Sequence, residues 1–229
     1  MVFRKMPLLP KLYKFYRDHG ISKTLRCLLL FYYRRLKRLL TNFAKEHVIE
    51  VNGYKLSTIP NDRGWYADEL ILFKTHEPLT TELLKKELKK GMVCLDIGSH
   101  IGYYSLLERK LVGGEGRVIA VEPSPLNFSY LKKNVSQNGF DDIEIFNFAF
   151  SNFDGEVNFL IASERSNICR VVEGNGPSIT KVYARSLDSF VTQYHLNRLD
   201  FLRMDVEGYE VEIINGGDGQ LKDFILSFL

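Results

Sequence analysis

Short apolar runs alternate along the chain with longer segments of helical periodicity. Continuous apolar runs of strand length are typical of strands buried on both faces of a parallel sheet. Five runs predict such strands: Met92 to Ile97, Arg117 to Glu122, Ile143 to Ala149, Asp200 to Met204 and Phe224 to Leu229. The segments between them predict helices: Tyr103 to Leu111, Pro125 to Asn138, Asp188 to His195 and Val206 to Asn215. This alternation indicates one α/β domain.

Two further elements precede the first of these strands. His47 to Val51 and Tyr54 to Ile59 flank Asn52-Gly53, a pair that predicts a tight β-hairpin. Thr81 to Lys90 predicts a helix, with Thr80 or Thr81 as its N-cap and Gly91 as its end.

A β excursion interrupts the alternation later in the chain. Glu156 to Ile161 and Ile179 to Ala184 have strand character, and the polar loop from Ser163 to Ser178 separates them. We interpret this loop either as mobile or as a cover over a bound substrate.

The N-terminal segment is strongly basic. Thr24 to Leu40 places apolar residues at helical spacing, with basic residues on the opposite face. Residues 1–45 contain twelve Lys and Arg and one acid, a net charge of +11, so the remainder carries 3 − 11 = −8. This amphipathic helix is interpreted as a contact to an anionic membrane surface, or as a helix packed on the domain or on a second copy in a homodimer. The acidic body argues against a nucleic-acid partner.

No segment has the length of a membrane span. The longest uncharged run of the basic helix, Cys27 to Tyr33, has seven residues, against about 20 for a span. Three cysteines far apart in sequence, Cys27, Cys94 and Cys169, indicate free thiols in a reducing compartment. We expect a cytoplasmic protein, or one that is peripheral at the inner membrane surface, with regions at 1–45 (basic helix), 46–76 (hairpin and link) and 77–229 (α/β domain).

Three of the predicted strands end in an acid, namely Asp96, Glu122 and Asp205. Open α/β sheets bind ligands at the carboxyl ends of their strands. An acid at the end of the second strand can accept hydrogen bonds from both hydroxyls of a ribose, so Glu122 indicates a nucleoside.

The turn after the first strand distinguishes two nucleoside cofactors. A dinucleotide fingerprint needs G-x-G-x-x-G, but this turn has only Gly98 and Gly102, and Asp96 stands where the first glycine would be. A carboxylate there would repel pyrophosphate and could attract, directly or through water, the ammonium of a methionine moiety. The pattern favours S-adenosylmethionine over NAD.

Four motifs resemble those of the FkbM family of S-adenosylmethionine-dependent methyltransferases. They are Cys94-Leu-Asp-Ile-Gly-Ser-His-Ile-Gly-Tyr-Tyr-Ser105, Val121-Glu-Pro-Ser-Pro-Leu-Asn127, Leu131-Lys-Lys-Asn134 and Phe201-Leu-Arg-Met-Asp-Val-Glu-Gly-Tyr-Glu210. The resemblance implies a Rossmann-like class I methyltransferase sheet of seven strands. It also implies O-methylation of a hydroxyl on a saccharide, glycan or related natural product.

The resemblance also implies roles for individual residues. Asp96, Gly98 and Gly102 match the cofactor loop of the family, and Ser99-His100 replaces its common Ala-Asn. Glu122 matches the ribose acid. Ala149 lies where the family approaches adenine, although Phe148 stands where an acid is common.

The acidic block after the fourth strand is the candidate catalytic region. Asp205, Glu207 and Glu210 could orient a diol, accept its proton or hold a divalent cation, although no specific metal motif is present. In the alternative interpretation, Glu207 caps the following helix and Glu210 is solvated surface. Three histidines are alternative bases: His76, His100 and His195.

Family members continue beyond the fifth strand, whereas this chain ends at Leu229. We therefore expect a C-terminally incomplete sheet with an open hydrophobic edge. Two other functions stay open at this point: a module that binds the cofactor without turnover, and a nicotinamide oxidoreductase.

Overall fold

The structure is a computed structural model. It describes residues 41–62, 65–162, 166 and 169–219, the backbone of 227–228, and seven positions between 21 and 36.

The chain forms two compact units, Met1–Asn42 and Phe43–Leu229. In the first unit the seven described positions between 21 and 36 are all helical, and six of them fall within the predicted basic helix Thr24 to Leu40: Leu25, Leu28, Leu29, Tyr32, Tyr33 and Leu36. The other residues of that predicted helix lie outside the described ones. No helix among the described residues is long and apolar enough to span a bilayer.

The second unit alternates strands and helices. Its strands are β1 Val48–Val51, β2 Tyr54–Ser57, β3 Val93–Ile97, β4 Arg117–Val121, β5 Glu144–Phe146, β6 Ala149–Ser151, β7 Gly155–Leu160, β8 Arg170–Val171, β9 Ile179–Ser186, β10 Phe201–Met204 and β11 Ser227–Phe228. Its α-helices are α1 Trp65–Asp68, α2 Pro78–Glu87, α3 Tyr103–Val112, α4 Pro125–Gln137, α5 Leu187–Gln193 and α6 Glu210–Asn215, and a π-helical segment, Glu69–Phe73, follows α1.

The central sheet is parallel and has the order β11-β10-β3-β4-β5 among the described strands. From β3 the chain moves outward through β4 and β5, and it returns to the other side of β3 with β10. The order therefore reverses between β3 and β10, and a crevice at such a reversal is where open α/β sheets bind ligands. This is the Rossmann-like class I methyltransferase arrangement that was predicted.

Alternate residues of the central strands face two apolar cores. Cys94 and Val118 pack with α3 and α4 on one face, whereas Leu95 and Ile119 pack with α5 on the other. Because both faces are covered, the strands must be apolar almost throughout, and this explains why their positions could be predicted.

The prediction of a single third strand from Ile143 to Ala149 is wrong, because this segment belongs to two strands. It divides at Asn147, whose side-chain amide donates to the carbonyls of Glu122 and Pro123 at 2.8 and 3.1 Å. The chain turns there, so Ala149 begins β6 in a second sheet of order β6-β9-β7-β8. This second sheet contains the predicted β excursion, in which β7 and β9 pair antiparallel.

Two predicted helix starts are also wrong. The helix α2 begins at Pro78 after Glu77, whose φ is 39°, and the hydroxyl of Thr81 donates to the carbonyl of His76 instead of capping. The helix α6 begins at Glu210 rather than at Val206, because Glu207 (φ 57°) and Gly208 (φ 99°) are left-handed and form a loop.

The predicted hairpin is confirmed as β1 and β2, with Asn52 and Gly53 in the left-handed region at φ 50° and 77°. It is tied to the domain by Asn134 of α4. The side chain of Asn134 accepts from the amide of Ser57 at 2.7 Å and donates to the carbonyl of Ile101 at 2.8 Å. The hairpin is thereby linked to the turn that follows β3.

Candidate active site

The turn between β3 and α3 requires glycine at two positions. Gly98 and Gly102 have φ of 82° and 91°, where L-residues with a Cβ are strained. A Cβ on Gly98 would lie 2.2 Å from the backbone oxygen of Asp205, and one on Gly102 would lie 2.8 Å from the side chain of Leu131. The turn therefore packs directly against the end of β10, and it brings the first and fourth strand ends together.

Asp96 is fully buried beneath this turn and is paired. One of its carboxylate oxygens accepts from Arg203 at 2.9 Å, and the other accepts from the hydroxyl of Ser105 at 2.5 Å. The parallel register makes Arg203 the cross-strand neighbour of Asp96. Both oxygens of Asp96, which was predicted to attract the ammonium of the cofactor, thus accept hydrogen bonds from the protein.

Arg203 joins two of the predicted acids and was missed by the sequence analysis. Its guanidinium also donates to Asp205 at 2.9 Å and lies 4.1 Å from the ring centre of Tyr104. Although burial lowers the pKa of Arg203, Asp96 and Asp205 outweigh that effect and raise it above its ordinary value. Arg203 is therefore a permanent buried cation beside the predicted catalytic acid.

Glu122 follows β4 and is held by three N–H donors. The amide of His100 donates to one carboxylate oxygen at 2.9 Å, and the amide of Ser124 and the side chain of Asn127 donate to the other at 2.9 and 3.2 Å. Burial raises the pKa of Glu122 to about 7, although these donors oppose the change. The structure thus places the predicted ribose acid rigidly next to the glycine turn.

The acidic block is a loop rather than the start of a helix. Asp205 is half-exposed and paired with Arg203. Burial and the neighbouring Asp205 raise the pKa of Glu207, against the opposing effect of Arg170. Glu210 accepts a hydrogen bond from the amide of Gly208 at 3.3 Å. The helix that follows has Tyr209 at its N-cap without a side-chain cap bond, so Glu207 is not its cap.

A cavity opens at this edge of the sheet, and its wall brings seven predicted residues together: Gly98, Ser99, His100, Glu122, Ala149, Asp205 and Glu207. Asp96, Gly102 and Glu210 lie outside that wall. Of the three histidines considered as bases, His76 and His100 line the cavity, whereas His195 is exposed elsewhere. Burial lowers the pKa of His100 to about 3, so its imidazole is neutral near pH 7.

One side of the cavity comes from three residues that precede α2. Tyr66 and His76 belong to the predicted hairpin and link at 46–76, and Glu77 is the first residue of the predicted α/β domain. Nδ1 of His76 forms a hydrogen bond with the carboxylate of Glu69 at 2.8 Å, and the ring of His76 packs edge-on against Tyr66 at 4.4 Å between centres. The sequence signal for this wall was weak, because only His76 was weighed as a functional residue.

Three buried polar atoms of the wall have no hydrogen-bond partner within the structure. They are the hydroxyl of Tyr66, Nδ1 of His100 and Oδ1 of Asn127. Buried polar groups are normally satisfied, and such exceptions require an explanation. Their convergence on one cavity fits a polar ligand with several donors and acceptors, as a nucleoside linked to an amino acid is. Among the described residues, no group of three or more metal-ligating side chains could hold an ion.

Comparisons with known proteins were consistent with this geometry. The model of the methyltransferase FkbM domain matches residues 96–228, more than half of the chain. Ribosomal protein L11 methyltransferase of Thermosipho africanus is 37% identical over 86 residues, which cover 37% of this chain and 32% of that protein. Hexuronic acid methyltransferase AglP of Haloferax volcanii is 26% identical over 171 residues, which cover 74% of this chain and 67% of that protein.

Among solved structures, methyltransferase FkbM of Methylobacillus flagellatus matches with a TM-score of 0.40 and 18% identity, over 57% of this chain and 29% of that one. These matches span between about a third and two thirds of the length of each relative.

Proposed function

Because the chain belongs to the FkbM methyltransferase domain family, we propose that it transfers a methyl group from S-adenosylmethionine to a hydroxyl of a saccharide or related natural product. The observation that carries this proposal is the convergence of the glycine turn, Glu122 and the acidic loop of Asp205 and Glu207 on one cavity. The turn and Glu122 suit the cofactor, and the acidic loop suits a hydroxyl acceptor.

The residues of the cavity fit the cofactor, since three of their buried polar atoms have no hydrogen-bond partner within the protein. We assign Glu122 to the ribose hydroxyls, the turn from Gly98 to Gly102 with Ser99 and His100 to the linkage beyond the ribose, and Ala149 with Phe148 to adenine. Asp96 supports this site by holding Arg203 beneath the turn. When bound, S-adenosylmethionine supplies an activated methyl group on a positively charged sulfur.

The protein must align the acceptor hydroxyl and take its proton. Asp205 and Glu207 both line the cavity, but the carboxylate of Asp205 is already paired with Arg203. Glu207 has a raised pKa and a left-handed backbone, so it is the better candidate for the base. Glu210 acts only by fixing this loop, through the amide of Gly208.

A saccharide acceptor is supported by the mixture of aromatic and acidic side chains in the wall, such as Tyr104, Tyr209 and Glu207. The similarity to a hexuronic acid methyltransferase over 74% of this chain points in the same direction. A sugar presents apolar C–H faces to aromatic rings and hydroxyls to carboxylates. We further propose that the basic N-terminal region contacts an anionic membrane surface, so that the protein works at the periphery of the inner membrane.

The test of the proposed function is calorimetry with S-adenosylhomocysteine, followed by transfer of labelled methyl from S-adenosylmethionine to a panel of oligosaccharides. We expect binding of S-adenosylhomocysteine but not of NAD, and a methyl product that resists mild base, as an ether does. A base-labile product would mean that a carboxyl group is methylated instead. Binding without transfer to any acceptor would favour the module without turnover, and binding of NAD alone would overturn the proposal.

A further inference from the structure

The cofactor of the proposed function carries an α-amino acid with an ammonium and a carboxylate, and the site must receive both charges. This inference rests on the proposed function and concerns that end of the cofactor. An ammonium group needs an oxygen acceptor, preferably a carboxylate with a free lone pair. The cavity wall or its surroundings must therefore supply such a carboxylate.

Asp96 does not meet this requirement in the structure. It is fully buried, and its two oxygens are engaged by Arg203 and Ser105. Asp96 also lies outside the wall of the cavity, so an ammonium group bound in the cavity cannot reach it in this arrangement.

Among the described residues, four acids line the wall: Glu77, Glu122, Asp205 and Glu207. Glu122 is held by three N–H donors next to the ribose position, and Asp205 is paired with Arg203. Glu207 lies in the acidic loop that we assign to the acceptor. Glu77 is the carboxylate that remains for the ammonium.

The contacts of Glu77 leave it suited to a cation. One carboxylate oxygen accepts from the hydroxyl of Tyr104 at 3.0 Å, and the other lies 4.0 Å from Nε2 of His76. Its side chain is 48% exposed, so both oxygens keep free lone pairs. The φ of Glu77 is 39°, a conformation that non-glycine residues rarely adopt and that is often found at ligand sites.

The same region also suits the negative end of the amino acid. Tyr104 belongs to the first turn of α3, where the positive end of the helix dipole favours a carboxylate. Tyr66 lines the cavity, its buried hydroxyl has no hydrogen-bond partner, and its ring lies 4.5 Å from that of His100 in the cofactor turn. A carboxylate is an acceptor that would satisfy this hydroxyl.

We infer that Glu77 receives the ammonium of the cofactor and that the hydroxyl of Tyr66 donates to its carboxylate. The segment before α2 is then part of the cofactor site. Both residues precede the region 96–228 that the family model matches.

The experiment compares two ligands that differ in the amino acid moiety. S-adenosylhomocysteine carries it, and 5′-methylthioadenosine lacks it. We expect Glu77→Gln to weaken binding of S-adenosylhomocysteine by roughly tenfold to a hundredfold, the usual value of a hydrogen bond to a charged group. Tyr66→Phe should weaken it by about tenfold. Both variants should bind 5′-methylthioadenosine within about twofold of the unmodified protein.

Matched controls separate this effect from general damage. Glu115→Gln and Tyr183→Phe make the same chemical changes at exposed positions and should leave both affinities unchanged. Equal weakening of both ligands by Glu77→Gln would mean a structural role and would overturn the assignment. Unchanged binding of S-adenosylhomocysteine would overturn it as well, although the proposed function would stand. Failure of the unmodified protein to bind either ligand would overturn both.

Discussion

At the scale of single residues, Glu108 is an acid that the fold buries without compensation. It is fully buried on α3, and neither of its carboxylate oxygens has a hydrogen-bond partner. Burial raises the pKa of Glu108 well above its ordinary value, and the nearby Asp96 adds to the change while Arg203 opposes it. The group is therefore protonated in the folded protein at a pH where it is ionised in the unfolded chain.

This shift predicts a pH dependence of stability. Below a pH of about 4.3 the carboxyl is protonated in both states. As the pH rises from there towards the folded pKa, the unfolded chain loses its proton first, so the folded state loses stability by up to roughly 1.4 kcal/mol per pH unit. Glu108→Gln removes this titration. The free energy of unfolding of this variant minus that of the unmodified protein should therefore rise with pH. Urea denaturation between pH 5.5 and 8 measures the difference.

The exposed Glu115 is the control for this prediction. Glu115→Gln should show a difference from the unmodified protein that stays flat over the same pH range. A flat difference for Glu108→Gln as well would mean that Glu108 ionises normally in the folded protein, contrary to its burial.

Arg203 shows why part of the site could not be read from single residues. The run from Asp200 to Met204 predicted a strand, and Asp205 was recognised as a strand-end acid. The pairing of Arg203 with Asp96 depends on which strand becomes the neighbour of β3 and in which register. Neither is visible in the local pattern of apolar and polar residues, because strands 107 residues apart form the contact.

At the scale of elements, the packing of the turn between β3 and α3 against β10 can be tested by substituting two glycines of similar conformation. Gly98 has φ 82° and its added Cβ would meet the backbone oxygen of Asp205, whereas Gly91 has φ 80° and no atom within 4 Å of an added Cβ. Gly91→Ala should cost about 1–2 kcal/mol of unfolding free energy, from the left-handed backbone alone. Gly98→Ala should cost roughly 1–3 kcal/mol more, because the turn and β10 must separate.

Urea denaturation of the two variants measures the difference. Gly98→Ala should also weaken S-adenosylhomocysteine binding, since the turn shifts, while Gly91→Ala should not. Equal destabilisation by both substitutions would show that the turn can move away from Asp205 without cost, and that the contact does not position the site.

The elements themselves were predictable where burial dictates the pattern. β3, β4 and β10 are buried on both faces, and their apolar runs located them within one residue. The prediction failed where one side chain or one backbone angle decides the path. Asn147 ends β5 by bonding to the carbonyls after β4, and the left-handed Glu207 delays α6. A sequence that favours a strand or a helix on average does not reveal such local contacts.

At the scale of the whole molecule, the candidate site combines segments from far apart in the chain. The strand-end acids and the glycine turn were identified from the sequence because their spacing has a chemical meaning. Tyr66 and Glu77 were not, since the residues between the hairpin and α2 have no such pattern. Their place in the wall follows from packing, in which the ring of Tyr66 contacts His76 and His100.

The last prediction concerns membrane binding by the basic N-terminal unit. Most of its described apolar positions are exposed, with Leu25 at 53% and Leu29 at 70%, and residues 1–45 carry a net charge of +11. An apolar helix face with surrounding basic residues favours an anionic lipid surface, where each cation near the surface contributes about 1 kcal/mol. The full chain should therefore sediment with vesicles of phosphatidylcholine and phosphatidylglycerol, but not with phosphatidylcholine alone.

The double variant Leu25→Asp, Leu29→Asp should reduce this sedimentation at least tenfold, because two leucines lose the roughly 1.5–3 kcal/mol that burial of each can supply. Leu79→Asp with Val211→Asp makes the same change in charge at exposed apolar positions of the second unit and should bind as the unmodified chain does. An equal loss of sedimentation in the two double variants would show that binding depends on net charge alone. No binding to anionic vesicles, together with a dimer in light scattering that Leu25→Asp, Leu29→Asp dissociates, would instead show that this helix packs on a second copy of the chain.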